Sequence, residues 1–66
     1  NFANNLKNLR TEREMTQADL AQALSTTEKT ISHWETGYSE PSISQLVTIA
    51  DYFDVSLDEL VGRDFN

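Results

Sequence analysis

The sequence is short of the residues that small folds often use to stabilise themselves. It has 66 residues, with no cysteine, one histidine, one proline and two glycines. Without cysteine there is neither a disulfide framework nor a thiolate zinc site, and one histidine cannot complete a metal cage without several carboxylates around it. A chain of this length buries only about 60% of the surface that its unfolded form exposes, so a deep substrate cavity would be costly. These shortages disfavour an enzyme and predict one small domain, residues 1–66, with no cofactor.

Long hydrophobic runs are also missing. The apolar stretches are no more than two or three residues long, such as Leu46-Val47 and Ile49-Ala50, whereas a membrane-spanning helix needs about 20 consecutive apolar residues. No basic segment followed by an apolar run of signal-peptide type is present either. Together with the missing thiols, these absences predict a cytoplasmic chain that does not enter a membrane.

Positive charge is scarce, and it is unevenly distributed. The chain has five Lys and Arg residues against eleven Asp and Glu residues, for a net charge of −6. Residues 1–36 hold four basic and five acidic side chains, whereas residues 37–66 hold one basic and six acidic side chains. Nucleic-acid binding normally depends on a surplus of Lys and Arg. The nearly neutral first half softens that objection, because the acidic character belongs to the second half.

Three predicted helix starts carry a capping box, in which a hydroxyl and a side-chain acceptor three residues later satisfy unpaired N–H groups of the first turn. The three pairs are Thr16 with Asp19, Ser42 with Gln45, and Ser56 with Glu59. Met15 and Val55 precede two of these caps. They are placed to pack against Leu20 and Leu60 as hydrophobic staples, which fix how the chain enters each helix.

These starts, and the apolar spacing between them, predict an all-α chain with five helices and no strand. Gly37 and Gly62 mark helix ends, and Pro41 cannot lie in a helix interior. The predicted helices span about residues 2–13, 17–24, 28–36, 43–53 and 57–61. The fourth helix is the most apolar, and we expect its core residues to be Ile43, Leu46, Val47, Ile49, Ala50 and Phe53.

The third predicted helix gives only Ile31 and Trp34 to a core. At about 100° per residue, the opposite face carries Lys29, Ser32, His33 and Thr36. Several of these side chains can both donate and accept hydrogen bonds, which suits the reading of base edges in a major groove. The alternative is an ordinary solvated face, because polar outer faces are the rule for surface helices.

The surrounding sequence gives this helix a context. Residues 16–37, TQADLAQALSTTEKTISHWETG, resemble the helix-turn-helix of the Cro and lambda-repressor-like (XRE-type) family of DNA-binding regulators. The similarity extends to Leu9-Arg10, to residues 40–42 and to residues 50–60, so it covers nearly the whole chain. It implies a compact five-helix lambda-repressor-like domain with the helix-turn-helix at helices 2 and 3. It further implies sequence-specific binding of double-stranded DNA by a prokaryotic or phage transcriptional regulator, in particular a repressor.

The resemblance also assigns DNA-contacting residues, with helix 28–36 as the recognition helix in the major groove. The implied base contacts come from Thr27, Glu28, Lys29, Ser32 and His33. The implied contacts to the DNA backbone come from Gln17, Arg10, Thr36, Tyr38 and Ser39. Relatives often carry basic residues in the loop 37–41, and the hydroxyls found here instead predict a weaker affinity for DNA.

Further roles concern the assembly of the domain and of a dimer. Arg10 and Glu35 match a pair that forms an internal salt bridge in relatives, and two independent solvated charges are the alternative. Relatives bind DNA as homodimers with a contact near the last helix. The dimer candidates here are Leu57, Val61 and Phe65, for which core packing and a frayed tail are the alternatives.

Ser25 departs from the family pattern. Relatives usually have glycine in this turn, where a left-handed backbone conformation is common. We expect the turn to tolerate Ser25 at a cost of about 1 kcal/mol. In the helix before the turn, Ala21 stands where the two helices pass closest, which requires a small side chain.

Two other interpretations stay open. The acidic composition would suit a protein-interaction module of the same fold, or an antitoxin-like regulator with weak DNA affinity and a protein partner. Enzyme chemistry has less support, because no paired carboxylates, activated nucleophile or Gly-rich phosphate loop occurs at a useful spacing. His33 likewise has no visible partner for catalysis or metal binding. The sequence therefore predicts double-stranded DNA as the partner and no small-molecule site.

Overall fold

The computed structural model describes residues 1–62, and this range contains five α-helices. They are α1 (Phe2–Glu12), α2 (Gln17–Ala23), α3 (Glu28–Thr36), α4 (Ile43–Phe53) and α5 (Leu57–Val61). No strand occurs within this range. The predicted all-α architecture is therefore confirmed, and the predicted bounds are within one residue at every helix end.

All three predicted capping boxes form. Thr16 N–H donates to Asp19 Oδ2 at 2.9 Å, and Asp19 N–H donates to Thr16 Oγ1 at 3.0 Å. The same reciprocal bonds join Ser42 with Gln45 and Ser56 with Glu59. Because the carboxylates of Asp19 and Glu59 accept a hydrogen bond from the cap backbone, the pKa of each lies below its ordinary value. Local chemistry thus sets where these helices begin.

One hydrophobic core joins the five helices. Its buried side chains are Leu6, Leu20, Ala21, Ile31, Trp34, Ile49, Ala50, Phe53 and Leu60. Met15 and Val55, the predicted staple residues, are partly buried and pack against this cluster. Because α3 packs against both α1 and α2, its orientation is set by two neighbours.

Ile43 and Val47 lie outside the core, so their predicted burial is wrong. Their exposed fractions are 79% and 41%. The face of α4 that packs inward consists of Leu46, Ile49, Ala50 and Phe53. At about 100° per residue, Ile43 and Val47 fall together to one side of that stripe. The helix has more apolar residues than one face can bury.

Within residues 1–62, three residues other than glycine adopt a left-handed backbone conformation: Glu14, Ser25 and Asp54, with φ of 57°, 56° and 57°. Ser25 lies in the turn between α2 and α3, where the family resemblance predicts this conformation. Thr26 N–H closes this turn by donating to the carbonyl oxygen of Ala21 at 2.9 Å. Glu14 follows the end of α1, and Asp54 follows the end of α4, at positions where glycine is the more usual residue. Asp tolerates the left-handed conformation better than most residues.

Arg13 stabilises the C-terminal end of α4. Its Nη2 donates to the Phe53 carbonyl oxygen at 3.0 Å, and its Nη1 donates to that of Tyr52 at 3.5 Å. The guanidinium carbon also lies 5.0 Å from the centre of the Phe53 ring, within cation–π range. A cation at this position complements the partial negative charge at a helix C-terminus. Arg13 is thus engaged within the protein.

The end of α5 lies against the start of α1. Asn5 Nδ2 donates to the carbonyl oxygens of Leu60 at 3.2 Å and Glu59 at 3.4 Å, which belong to the last turn and lack intrahelical partners. A Cβ on Gly62 would lie 2.9 Å from Asn5 Nδ2 and 3.5 Å from the backbone nitrogen of Asn1. Residues 1 and 62 are therefore neighbours in space.

We predict that Ser25→Gly raises the free energy of unfolding by about 1 kcal/mol, because glycine adopts the left-handed conformation without steric penalty. Urea unfolding measures the difference. Ser44→Gly is the matched control, since Ser44 lies inside α4, where glycine should be destabilising. A loss of stability in Ser25→Gly would contradict the strain assigned to this turn.

Candidate nucleic-acid interface

The helix α3 turns one face to the core and the other to solvent. Ile31 is fully buried and Trp34 is 4% exposed. On the outer side, Glu28, Lys29 and Thr36 are exposed, whereas Ser32 and His33 are half-buried. The structure therefore brings the predicted contact residues of α3 to one accessible surface, which we call the α3 face.

Thr27 occupies the N-cap of α3 and has local partners. Its Oγ1 accepts from Thr30 N–H at 3.2 Å and lies 2.9 Å from Thr30 Oγ1. The side chain is exposed at the start of the helix. Its hydroxyl is therefore already engaged in capping, which leaves its methyl group freer than its oxygen for contact with a ligand.

The predicted salt bridge between Arg10 and Glu35 forms, and it is buried. Arg10 Nε donates to Glu35 Oε2 at 2.6 Å, and Arg10 Nη2 donates to Glu35 Oε1 at 2.9 Å. Nη1 of the same guanidinium donates to the Met15 carbonyl oxygen at 2.7 Å. The two residues are 8% and 9% exposed. This bidentate pair ties α1 to the last turn of α3, and the alternative of two independent solvated charges is excluded.

Gln17 adds α2 to the same network. Its Nε2 donates to Glu35 Oε1 at 3.1 Å, so Glu35 receives hydrogen bonds from the first two helices. Among the buried side-chain nitrogen and oxygen atoms of the described residues, none lacks a partner. The network therefore satisfies its own buried polar groups and braces α3 from two sides.

Burial and hydrogen bonding act on Glu35 in opposite directions. Burial raises the pKa of this carboxyl, but hydrogen bonds from Arg10 and Gln17, with the positive charges of Arg10 and Lys7, outweigh it and hold the pKa below the ordinary value of 4.5. A carboxyl whose pKa is lower in the folded state stabilises the fold above its unfolded pKa. That contribution is lost as the pH falls from about 4.5 through the folded pKa.

The chain turns sharply after α3. Gly37, with φ of 79°, ends the helix, and Tyr38 N–H donates to the His33 carbonyl oxygen at 3.0 Å. Tyr38 is 78% exposed and Ser39 is half-buried. The Tyr38 ring lies 4.5 Å from the His33 ring, centre to centre. Sequence reasoning missed this contact, although a glycine that ends a helix sends the next residues back along its last turn.

The available positive charge is smaller than the sequence suggested. Arg10 is buried in its ion pair and Arg13 is bonded to α4, whereas Lys7 and Lys29 are exposed. Asp51, Asp54, Asp58 and Glu59 lie on or between α4 and α5. Most of the acidic side chains in the second half of the chain therefore lie on other elements than the α3 face.

Two of the three dimer candidates are exposed on α5. Leu57 is 44% and Val61 is 37% exposed, whereas Leu60 between them is fully buried. The third candidate, Phe65, lies outside the described residues. Leu57 and Val61 are thus not among the buried core residues.

Within residues 1–62, no group of three or more His, Cys, Asp and Glu side chains is placed to hold a metal ion. In the same range, no helix is long and apolar enough to cross a membrane.

We predict that Arg10→Met lowers the free energy of unfolding by about 3 kcal/mol, because Glu35 would remain buried without its counter-charge. Urea unfolding at neutral pH measures the loss. The double variant Arg10→Met with Glu35→Leu should recover most of it, since well-packed apolar side chains can replace a buried ion pair.

Lys7→Met is the control for this prediction. It removes an exposed cation from the same helix and should change stability by less than about 0.5 kcal/mol. Equal losses in Arg10→Met and Lys7→Met would mean that the buried pair does not brace the fold.

Comparison with known proteins gives a consistent result. A family model described as helix-turn-helix matches residues 6–60. The HTH-type transcriptional activator BcrR of Enterococcus faecalis is 38% identical over 63 residues, which cover 96% of this chain and 31% of BcrR. The cryptic phage CTXphi transcriptional repressor RstR of Vibrio cholerae is 36% identical over 58 residues, which cover 88% of this chain and 52% of RstR. The chain thus spans slightly less than a third of BcrR and about half of RstR.

A solved structure agrees with the sequence comparisons. The crystal structure of a transcriptional regulator from Listeria innocua superposes with a TM-score of 0.92 and 33% identity, over 100% of this chain and 62% of that chain. The matched residues 6–60 include the α2–turn–α3 unit and most of the core. On these grounds the chain belongs to the helix-turn-helix family.

Proposed function

We propose that this chain binds double-stranded DNA in a sequence-specific manner, as part of a prokaryotic or phage transcriptional regulator. The proposal depends chiefly on the mounting of α3, whose inner side is held by the core and by the Arg10–Glu35–Gln17 network while the α3 face stays accessible. The major groove of B-DNA is about 12 Å wide and admits one α-helix. The relatives are named as regulators of transcription, which supports the same role here.

The base contacts follow from the chemistry of the α3 face. Lys29 would donate to the O6 and N7 acceptors of guanine, and Glu28 would accept from the N4 amino group of cytosine. His33 would donate to a purine N7. Ser32 and the methyl group of Thr27 would supply secondary contacts at the edge of the same surface.

The DNA backbone contacts would come from groups at both ends of α3. Gln17 has a second amide hydrogen beside the one directed at Glu35, so it can brace the helix and donate to a phosphate at the same time. Thr36 and Ser39 would offer their hydroxyl groups, because the N–H groups of Tyr38 and Ser39 already donate to the His33 carbonyl oxygen. Arg10 is different, because it is only 8% exposed and all three of its side-chain nitrogens already donate to protein oxygens. We therefore assign Arg10 to bracing rather than to phosphate contact.

Two copies would compensate for the few available cations. Each neutralised phosphate contributes about −0.9 to the salt slope, so one copy should bind with a shallow salt dependence. A homodimer would place two recognition helices about 34 Å apart, one turn of DNA. Leu57 and Val61 are candidates for its contact, because they are apolar and exposed.

The proposal also covers whether the protein represses or activates transcription and where in the cell it acts. We propose a repressor, on the similarity to RstR, which is named a transcriptional repressor, although BcrR is named an activator. Because a prokaryotic or phage regulator must reach DNA in the cytoplasm, we place the protein there. The names of these relatives also favour DNA binding over the protein-interaction or antitoxin-like roles that acidity would allow.

We predict that selection of bound duplexes from a random pool yields a defined half-site for the wild-type chain. Lys29→Ala should relax the preference at one base pair and weaken binding about 10-fold, because it removes a charged donor to base edges. Lys7→Ala removes the same charge from α1 and should leave the preference unchanged. An unselective pool for the wild type would overturn the proposed function.

We predict that Leu57→Asp weakens binding to a duplex with two half-sites by at least about 10-fold, while binding to a single half-site is unchanged. The added charge would have to be buried at a dimer contact. Asn8→Asp adds the same charge to an exposed position of α1 and serves as the control. Equal affinities of Leu57→Asp and wild type for the double site would remove α5 from the dimer contact.

A further inference from the structure

The side chains of Tyr38 and His33 form an aromatic pair at the end of α3. Their ring centres are 4.5 Å apart and their planes are inclined by 45°, a separation typical of attractive aromatic pairs. His33 is half-buried, whereas Tyr38 is 78% exposed. A ring that is so exposed contributes little hydrophobic stabilisation. Burial therefore does not explain its contact with the imidazole.

The backbone holds the two residues in this relation. The His33 carbonyl oxygen accepts from the N–H groups of Gly37, Tyr38 and Ser39, the last two at 3.0 and 3.3 Å. Thr36 Oγ1 donates to the same oxygen at 3.3 Å. Four donors from Thr36 and the turn therefore converge on one atom of His33, and the backbone of Tyr38 is held next to the residue whose ring it contacts.

We infer that Tyr38 is a positioning residue for His33, which sets the plane of the imidazole and so the direction of its N–H donor toward a base. This inference rests on the proposed function, because it assumes that His33 meets a base edge. A hydrogen bond weakens steeply when its angle falls below about 120°. An imidazole that turned freely about its two side-chain bonds would donate well in only some of its orientations.

This role differs from the phosphate contact that the family resemblance implies for Tyr38. A phosphate contact would use the hydroxyl and would strengthen binding to every DNA sequence alike. A positioning role would use the ring and would act at the base pair that His33 reads. The two roles can therefore be separated by removing the hydroxyl or the ring alone.

The test compares Tyr38→Phe, which keeps the ring, with Tyr38→Leu, which keeps apolar bulk. We expect Tyr38→Phe to retain the wild-type base preference. Tyr38→Leu should lose about 3- to 10-fold in affinity for the selected half-site, the range of an aromatic pair, and its preference should relax where His33→Ala relaxes it. A uniform loss in Tyr38→Phe across DNA sequences would overturn the inference in favour of a phosphate contact.

A double-variant cycle shows whether Tyr38 acts through His33. In a His33→Ala background, Tyr38→Leu should cost nothing further, because there is no imidazole left to orient. Equal losses in both backgrounds would overturn the inference. That outcome leaves the proposed function intact, whereas a wild-type chain without base preference would remove both.

A measurement without DNA tests the geometry directly. The NMR signals of the His33 ring protons should carry a ring-current shift from the neighbouring aromatic ring in the wild type and in Tyr38→Phe, and this shift should vanish in Tyr38→Leu. Tyr52→Leu is the control, because Tyr52 is a second exposed tyrosine whose ring pairs with Phe53. Identical His33 spectra in wild type and Tyr38→Leu would also overturn the inference.

Discussion

The bidentate ion pair between Arg10 and Glu35 is the interaction on which the placement of α3 depends. This helix offers the core only two apolar side chains, Ile31 and Trp34, and hydrophobic contact is not directional. Two charges removed from water cost several kcal/mol each unless they are paired and hydrogen-bonded in good geometry. Here that requirement is met, with Gln17 as a third partner. The pair therefore restricts the angle of α3 in a way that apolar packing cannot.

Two arginines make contacts within the protein, which reduces the positive charge available to bind a polyanion such as DNA. Arg10 is buried in its ion pair with Glu35, and Arg13, although exposed, donates to the end of α4. Among the described residues, Lys7 and Lys29 are the other exposed Lys and Arg side chains. A chain with a net charge of −6 then gains little from attraction to phosphates in general. Under the proposed function, recognition would depend on hydrogen bonds and shape along α3, and non-specific DNA would be a weak competitor.

The helices could be predicted from the sequence, because capping residues and glycines act over only a few positions. The Arg10–Glu35 ion pair could be predicted only from the family resemblance. Other contacts between residues far apart in the sequence could not be predicted. The bond from Arg13 to the end of α4 spans 40 residues, and no pattern near Arg13 signals it. Ile43 was misplaced because periodicity identifies an apolar face without telling how wide a face the neighbours can cover. Glu14 adopts a left-handed conformation that its residue type does not favour.

The contact between Gly62 and Asn1 has a consequence for the connectivity of the chain. Because these residues are adjacent, a linker of a few residues could join them without disturbing α1 or α5, and new termini could be opened in a surface loop. The order in which the helices follow one another along the polypeptide is therefore separable from the way they pack.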